Sequence, residues 1–297
     1  MKRTVKKEKA TAILMSDVHL RLNTPVCRTD EEFPAAQWGK LQFIKDLQIE
    51  HDCIVFCGGD LFHHWKPAPE LITKTMEHLP AKFYTIYGQH DLPNHSLKEQ
   101  DKSGIYALKT AGALTLLPGC HWGQDPKDIP PLTLGNNDVS KKVLVWHKMN
   151  YQGKLPWPGC TDPKAVGLLR KYPEYDLILT GDNHKPFIEE YGGKILVNPG
   201  SLMRQTADQI DFKPRVYLYY AATNSVEPVF LPIKADVVNR EHLERDSQRS
   251  ERIDAFISKL DGEWQAGMSF EANLEKFFKT NEIRTSVKEI IYKAIES

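Results

Sequence analysis

Cys53-Ile54-Val55-Phe56-Cys57-Gly58-Gly59-Asp60-Leu61-Phe62-His63 is an apolar run of strand length that stops at a glycine pair and then delivers a carboxylate and an imidazole. Its brevity and β-branched content favour a buried strand over a helix. The glycine pair lets backbone come close to a metal or a phosphate. The same arrangement recurs along the chain. Ala12–Met15 leads into Ser16-Asp17-Val18-His19, and Phe83–Tyr87 into Gly88-Gln89-His90-Asp91. Val143–Trp146 leads into His147, and Leu177–Leu179 into Gly181-Asp182-Asn183-His184. Burying so many ionisable groups without compensation would cost several kcal/mol each. The series therefore predicts a metal site at the tips of buried strands, and a two-metal hydrolase.

Further strand-length runs lie at Leu114–Leu117, Ile195–Val197, Val216–Tyr220 and Val229–Leu231. Helical spacing separates several of them, at Ala36–Leu47, Pro69–Leu79 and Ser103–Ala111. This βαβ alternation predicts a layered α/β fold, with functional residues just beyond the carboxyl ends of strands. Composition changes near Lys234, after which charges are frequent and no strong strand appears. Helical patterns follow at Asn239–Leu260 (stripe Ile253, Phe256, Ile257, Leu260) and Phe270–Lys279 (Leu274, Phe277, Phe278). A third opens on the capping box Ser286-Val287-Lys288-Glu289 and continues through Ile290, Ile291 and Ile295. The expected division is a catalytic domain over 1–235 and a helical segment over 236–297, either a cap or a partner-docking element.

Lys+Arg and Asp+Glu both number 39, so no global basic field advertises a nucleic-acid coat, although local basic patches are compatible with neutrality. The basic stretch Lys2–Lys9 is not followed by an apolar core of signal-peptide length, and no run approaches a bilayer span. The five cysteines form no C-x-x-C pair, which suits reduced, buried thiols. A cytoplasmic protein without membrane attachment is expected. No G-x-x-x-x-G-K-[ST] is present, so any ATP-driven step would come from another protein.

Asp17 and His19 alternate along an extended backbone, so both side chains would leave one face, and Asp182 and His184 repeat that spacing. Asp60 can bridge two cations, Gln89 offers an amide oxygen and His147 an imidazole. This mixed O/N set suits Mn²⁺, Fe²⁺ or Zn²⁺. His90 is the candidate proton donor to a leaving oxygen, and His63 a second contact to phosphate. Asn198-Pro199-Gly200-Ser201 closes a strand with turn formers, and Arg204 follows it. Asn198 and Arg204 are the candidates on the substrate side; a surface salt bridge is the alternative for Arg204. The aromatic, proline-containing stretch Tyr151–Gly159 either stacks on bases or stiffens its own loop.

The motif order, D-x-H, G-D-x-x-H, G-Q-H-D, a lone His, then G-D-x-H, resembles that of the calcineurin-like metallophosphoesterases. Gly59-Asp60-Leu61-Phe62-His63 with Gly88-Gln89-His90-Asp91 looks more particularly like the SbcD-type DNA nuclease subunits, phage-encoded ones included. The resemblance implies a four-layer αββα sandwich of two mixed sheets. It implies one metal on Asp17, His19, Asp60 and His184, and a second on Asp60, Gln89, His147 and Asp182, with Mn²⁺ the expected ion. It also implies a DNA exo- or endonuclease subunit working with an SbcC-type ATPase, the C-terminal helices being the docking element; a homodimer is a further expectation. The chain departs from the family at Gln89, where Asn is usual, and at Asp182, where His is usual. Both keep a donor atom and so retune the site: Gln89 moves the amide oxygen out by one methylene, and the anionic oxygen of Asp182 favours harder ions. Two other readings stand beside this one: a small-molecule (nucleotide) phosphodiesterase or phosphatase, and a non-catalytic scaffold.

Overall fold

The computed structural model describes residues 8–136, 139–263 and 270–295, so the basic residues 2–7 lie outside it. Strands β1 (Ala12–Met15), β2 (Ile54–Cys57), β3 (Phe83–Thr85) and β4 (Thr115–Leu116) run parallel in that order. In the second sheet β5 (Leu132–Asn136), β6 (Val139–His147), β7 (Leu177–Gly181), β8 (Phe187–Tyr191) and β9 (Lys194–Asn198) take the order β5-β6-β7-β9-β8. Its centre, β6-β7-β9, is parallel, and β5 and β8 are antiparallel edges. The first sheet is completed by β10 (Arg215–Tyr220), antiparallel to β1, and β11 (Ser225–Phe230).

Strand alternation builds the layers. On β1, Ala12 and Leu14 join Phe56, Val143, Val145, Leu177 and Leu179 in the core between the sheets. Ile13 and Met15 turn the other way, onto the helices α1 (Phe33–His51), α2 (Pro69–His78) and α3 (Gly104–Thr110), through Leu41, Ile44, Leu71, Ile105 and Leu108. On β6, Leu144 and Trp146 pack outward on Leu168 and Leu169 of α4 (Ala165–Lys171). Each such fully buried side chain contributes roughly 1.5–3 kcal/mol. The result is the expected α-β-β-α order of layers, with two mixed sheets.

β5 and β8 are absent from the sequence expectations. Both are edge strands with half-exposed faces, so their apolar content is thin. Cys27, Cys53, Cys57 and Cys120 are buried free thiols. No described helix is long and apolar enough to cross a membrane.

A second compact unit begins at Arg240, where the expected division fell between 235 and 236. It contains α5 (Glu241–Glu263), α6 (Phe270–Thr280) and α7 (Thr285–Ile295). Leu274, Phe277 and Phe278 of α6 form its core with Ile283 and Ile291. Ile253 on α5 is exposed, whereas the side chains of Phe256, Ile257, Leu260 and Ile295 lie outside the described residues. Ser286 sits inside the first turn of α7 rather than at its cap.

Candidate metal centre

The carboxyl ends of parallel strands gather the predicted ligands. Asp17 and His19 follow β1, Asp60 follows β2, Gln89 and His90 follow β3, His147 ends β6, and Asp182 and His184 follow β7. Backbone bonds carry the β1–β2 pairing into the two loops: Asp17 N–H donates to Gly59 O (3.1 Å), His19 N–H to Asp60 O (3.0 Å) and Leu20 N–H to Leu61 O (2.9 Å). One expectation needs correcting here. Asp17, His19, Asp60 and Asp182 are not extended but left-handed, with φ of 50°, 49°, 53° and 81°. The two D-x-H pairs therefore reach a common point by sharp turns after the strands end. Such conformations cost of order 1–3 kcal/mol each in non-glycine residues and persist only where the surroundings enforce them.

At the centre, Asp60 Oδ1 accepts from the backbone N–H of His90 at 2.9 Å. Its Oδ2 lies 3.5 Å from His147 Nε2 and 3.7 Å from His19 Nε2. The His147 Nδ1–H donates to Gly58 O at 2.6 Å, which leaves Nε2 facing Asp60. Asp17 Oδ1 accepts from the backbone N–H of Asp182 at 3.0 Å and so ties the two sheets together. It lies 3.9 Å from both His19 Nε2 and His184 Nε2, which approach each other to 3.1 Å. Gln89 Nε2–H donates to Asp182 Oδ1 at 2.8 Å and leaves its carbonyl oxygen inside. The packing depends on missing side chains. Gly59 has φ +100°, and a Cβ on Gly88 would lie 2.6 Å from both Cγ and N of Asp60.

Charge in this cluster is strongly perturbed. Burial and the neighbouring Asp60 raise the Asp17 carboxyl pKa, only partly offset by His184 and His147. Burial would likewise raise Asp60, but His147, His19 and His90 reverse it and hold Asp60 well below the usual carboxylate range. Burial would depress His147, but Asp60, Asp17 and Asp182 lift it to about 10. Burial keeps His19 far below the usual imidazole value. The carboxylates thus demand positive charge, which a proton on His147 or a cation can supply.

Asp17 Oδ2, Asp60 Oδ2, Gln89 Oε1 and His147 Nε2 are buried without a hydrogen-bond partner. Leaving such atoms unsatisfied costs roughly 1–3 kcal/mol each. Among the described residues, donor atoms within 4.8 Å of one another form the sets Asp17–His19–His184, Asp17–Asp60–His147 and His19–His63–His90. Converging oxygen and nitrogen donors with unspent lone pairs fit divalent first-row cations.

His90 Nδ1–H donates to the His63 carbonyl at 3.0 Å, and its ring lies edge-on to His19 at 4.8 Å. His63 stacks on His90 at 5.7 Å, and burial followed by the Arg21 charge lowers His63 to about 4. Asp91 is wholly buried. Its carboxylate accepts from the N–H groups of Leu61, Phe62 and Gly88, which locks the second and third motif loops together.

The two substrate-side candidates are placed differently. Asn198 is fully buried; its amide donates to the carbonyls of Asn183 (2.5 Å) and Lys185 (2.8 Å), and its oxygen accepts from Thr180 Oγ1 (3.1 Å). It braces the loop that carries His184. Arg204 is 5% exposed, and its guanidinium donates to Ile210 O and Lys234 O, so its charge is directed at main-chain carbonyls. Sequence spacing could not reveal that these polar groups are spent on backbone carbonyls. A cavity of about 820 Å³ opens beside His147, Asp182 and His184, walled by Trp122, Trp157 and Lys185. Lys148 and Lys185, absent from the sequence expectations, line it too. Their one signal was position, each directly after a predicted ligand.

The sequence model of the calcineurin-like phosphoesterase superfamily domain matches residues 11–213. No curated protein matches the chain. Among solved structures, an archaeal phosphodiesterase is similar over 74% of this chain and 99% of its own, at 13% identity and a TM-score of 0.41. A putative 5′-nucleotidase from Staphylococcus aureus is similar over 81% of this chain and 58% of its own, at 12% identity and a TM-score of 0.46. A single mutant of Vps29 from Entamoeba histolytica covers 75% of this chain and 99% of its own, at 14% identity and a TM-score of 0.34. Nothing about substrate follows from likenesses of this degree. The matched residues include every candidate from Asp17 to Arg204, and the chain belongs to the calcineurin-like phosphoesterase superfamily, metal-dependent hydrolases that bind two divalent cations.

Proposed function

We propose that this chain is a two-metal nuclease that hydrolyses phosphodiesters in DNA. The observation that carries the reading is the buried set of unpartnered donors, Asp17 Oδ2, Asp60 Oδ2, Gln89 Oε1 and His147 Nε2, beside a cavity large enough for nucleotides. Asp17, His19, Asp60 and His184 would hold one cation, and Asp60, Gln89, His147 and Asp182 the other. Asp60 Oδ2, between the imidazoles of His19 and His147, suits the shared position. The oxygen donors Gln89 and Asp182 favour Mn²⁺. When bound, two such cations supply charge against the phosphodiester and acidify water toward a pKa of about 7. Water attacks phosphorus and gives up a proton to solvent, the P–O bond to the leaving oxygen breaks, and His90 delivers a proton to that oxygen from Nε2, its Nδ1–H being fixed on His63 O. His63 contacts the phosphate.

The ATP-driven step belongs to a separate SbcC-type ATPase, and the second unit is its docking element. Val287 and Ile290, both exposed and about one turn apart on α7, supply an apolar surface for it. The test is cleavage of linear double- and single-stranded DNA with Mn²⁺, beside Asp60→Ala. Cleavage lost in the variant is the expected result. Turnover of cyclic nucleotides or a phosphomonoester without DNA cleavage would replace this reading with a small-molecule phosphodiesterase or phosphatase. Failure to bind two Mn²⁺ per chain would leave a non-catalytic scaffold.

A further inference from the structure

The loop between β6 and α4 forms a second cavity that shares a wall with the first. This cavity, about 460 Å³, is bounded by Tyr151, Lys154, Pro156 and Phe187. Met149, Trp157, Asn183 and Lys185 line both cavities. The two spaces are therefore neighbouring compartments with Trp157 among their shared walls, and only the first is lined by residues of the donor cluster. A ligand confined to one phosphate and one sugar would leave the second compartment unused.

The loop is a fixed platform. Tyr151 N–H donates to Pro163 O (3.3 Å) and Ala165 N–H to Tyr151 O (2.9 Å), which closes the base. Gln152 Nε2–H donates to Ile188 O (2.6 Å) and Lys148 pairs with Asp162 (3.6 Å). Asn183, inside the last motif, donates through Nδ2 to Asn150 O at 2.7 Å, so the platform is tied to the loop that holds Asp182 and His184. Pro156 and Pro158 restrict the backbone on either side of Trp157, whose indole is 47% exposed. A pre-set, exposed aromatic face loses little freedom when something stacks on it. Lys154 and Lys185 are exposed and line the second compartment, which has no acid in its lining among the described residues, whereas Asp162, Asp182 and Asp208 offset Lys148 and Lys185 in the first.

A basic outer compartment beside an exposed aromatic side chain suits an unpaired polynucleotide. Resting on the nuclease reading above, we infer that the scissile strand is held as a single strand along the two compartments. One of its bases stacks on Trp157, and Lys154 and Lys185 track its phosphates. The site accordingly prefers ends that are frayed or unpaired over several nucleotides.

The test uses the full chain with Mn²⁺, an octathymidylate, a dithymidylate and a small chromogenic diester. Wild type is expected to favour the octamer over the dimer. Trp157→Ala is expected to lower the octamer-to-diester ratio of kcat/KM by about 10- to 100-fold, mainly through KM, and to erase the length preference. Trp157→Phe restores most of it. Indole fluorescence is expected to fall on adding octamer to wild type and not to Trp157→Ala. An octamer cleaved by wild type and Trp157→Ala with the same ratio overturns this inference and leaves the nuclease reading intact. Wild-type turnover of the diester with neither binding nor cleavage of octamer overturns both.

Discussion

Gly88→Ala is the most demanding single perturbation of the centre. The added methyl would lie 2.6 Å from both Cγ and N of Asp60, where carbon contacts need about 3.5–4.0 Å, so roughly 1 Å of movement is required. Asp60 has nowhere to go. Its Oδ1 accepts from His90 N–H, and its carbonyl accepts from His19 N–H. Overpacking costs about 1–3 kcal/mol, and losing the charged hydrogen bond adds about 1.5–3 kcal/mol. The combined loss of about 2.5–6 kcal/mol corresponds to a melting point lower by roughly 5–20 °C for a unit of this size. Displacing the carboxylate that serves both cations by about 1 Å should also weaken catalysis by about 100-fold. Thermal unfolding with EDTA measures the first effect; Mn²⁺ titration and diester turnover measure the second. Gly39→Ala is the matched control: it lies within α1, nothing approaches its Cβ position within 4 Å, and it should stabilise by about 0.5–1 kcal/mol. A Gly88→Ala protein that melts within about 2 °C of wild type, a loss of about 1 kcal/mol or less at this size, and that keeps its Mn²⁺ stoichiometry and turnover would refute the reasoning.

Two further expectations concern buried cations away from the metal ligands. Arg204→Met should destabilise by about 2–4 kcal/mol, because the Ile210 and Lys234 carbonyls lose charged donors; KM for a small diester should stay unchanged, and a large rise in KM at normal stability would return Arg204 to the substrate. Lys40 donates to Leu202 O, and burial, with help from Arg204 and Arg28, lowers its amine from 10.5 to about 7. Between those values the unfolded chain holds more protons, so this site's contribution to stability grows as pH rises and is lost as pH falls through about 7. The gap in urea stability between wild type and Lys40→Met should therefore widen by roughly 2 kcal/mol from about pH 6.5 to about pH 9 in favour of wild type, and a gap that does not move with pH would sink the assignment.

The ligands were legible because ionisable groups directly after apolar runs have few structural explanations. Asp17, Asp60, His147 and Asp182 each stand at or just beyond a strand end, and the sheet then gathers them. The layered fold followed from the same runs. What stayed hidden depends on direction rather than on residue type. Asn198 and Arg204 have the chemistry of substrate ligands, yet both fold back onto main-chain carbonyls. The left-handed turns at Asp17 and His19 leave no mark in spacing. β5 and β8 carry too few buried side chains to announce themselves, because one neighbour each is all they have. Asp91 could by sequence orient its loop or lie exposed, and its carboxylate accepts from three N–H groups.

The division of the donor set between the sheets has a consequence for biosynthesis. Asp17, His19, Asp60 and Gln89 leave the ribosome early, whereas His147, Asp182 and His184 arrive much later along the chain. β1 lacks its second neighbour until β10 is made, since Ala12 pairs with Tyr219. A nascent chain that stops short of His147 therefore carries half a metal centre, and one that stops short of Tyr220 carries every donor on an unfinished first sheet. Such long-range closure is slow to form. Cation capture is thus a late event in the birth of the molecule, and it reports that both sheets have met.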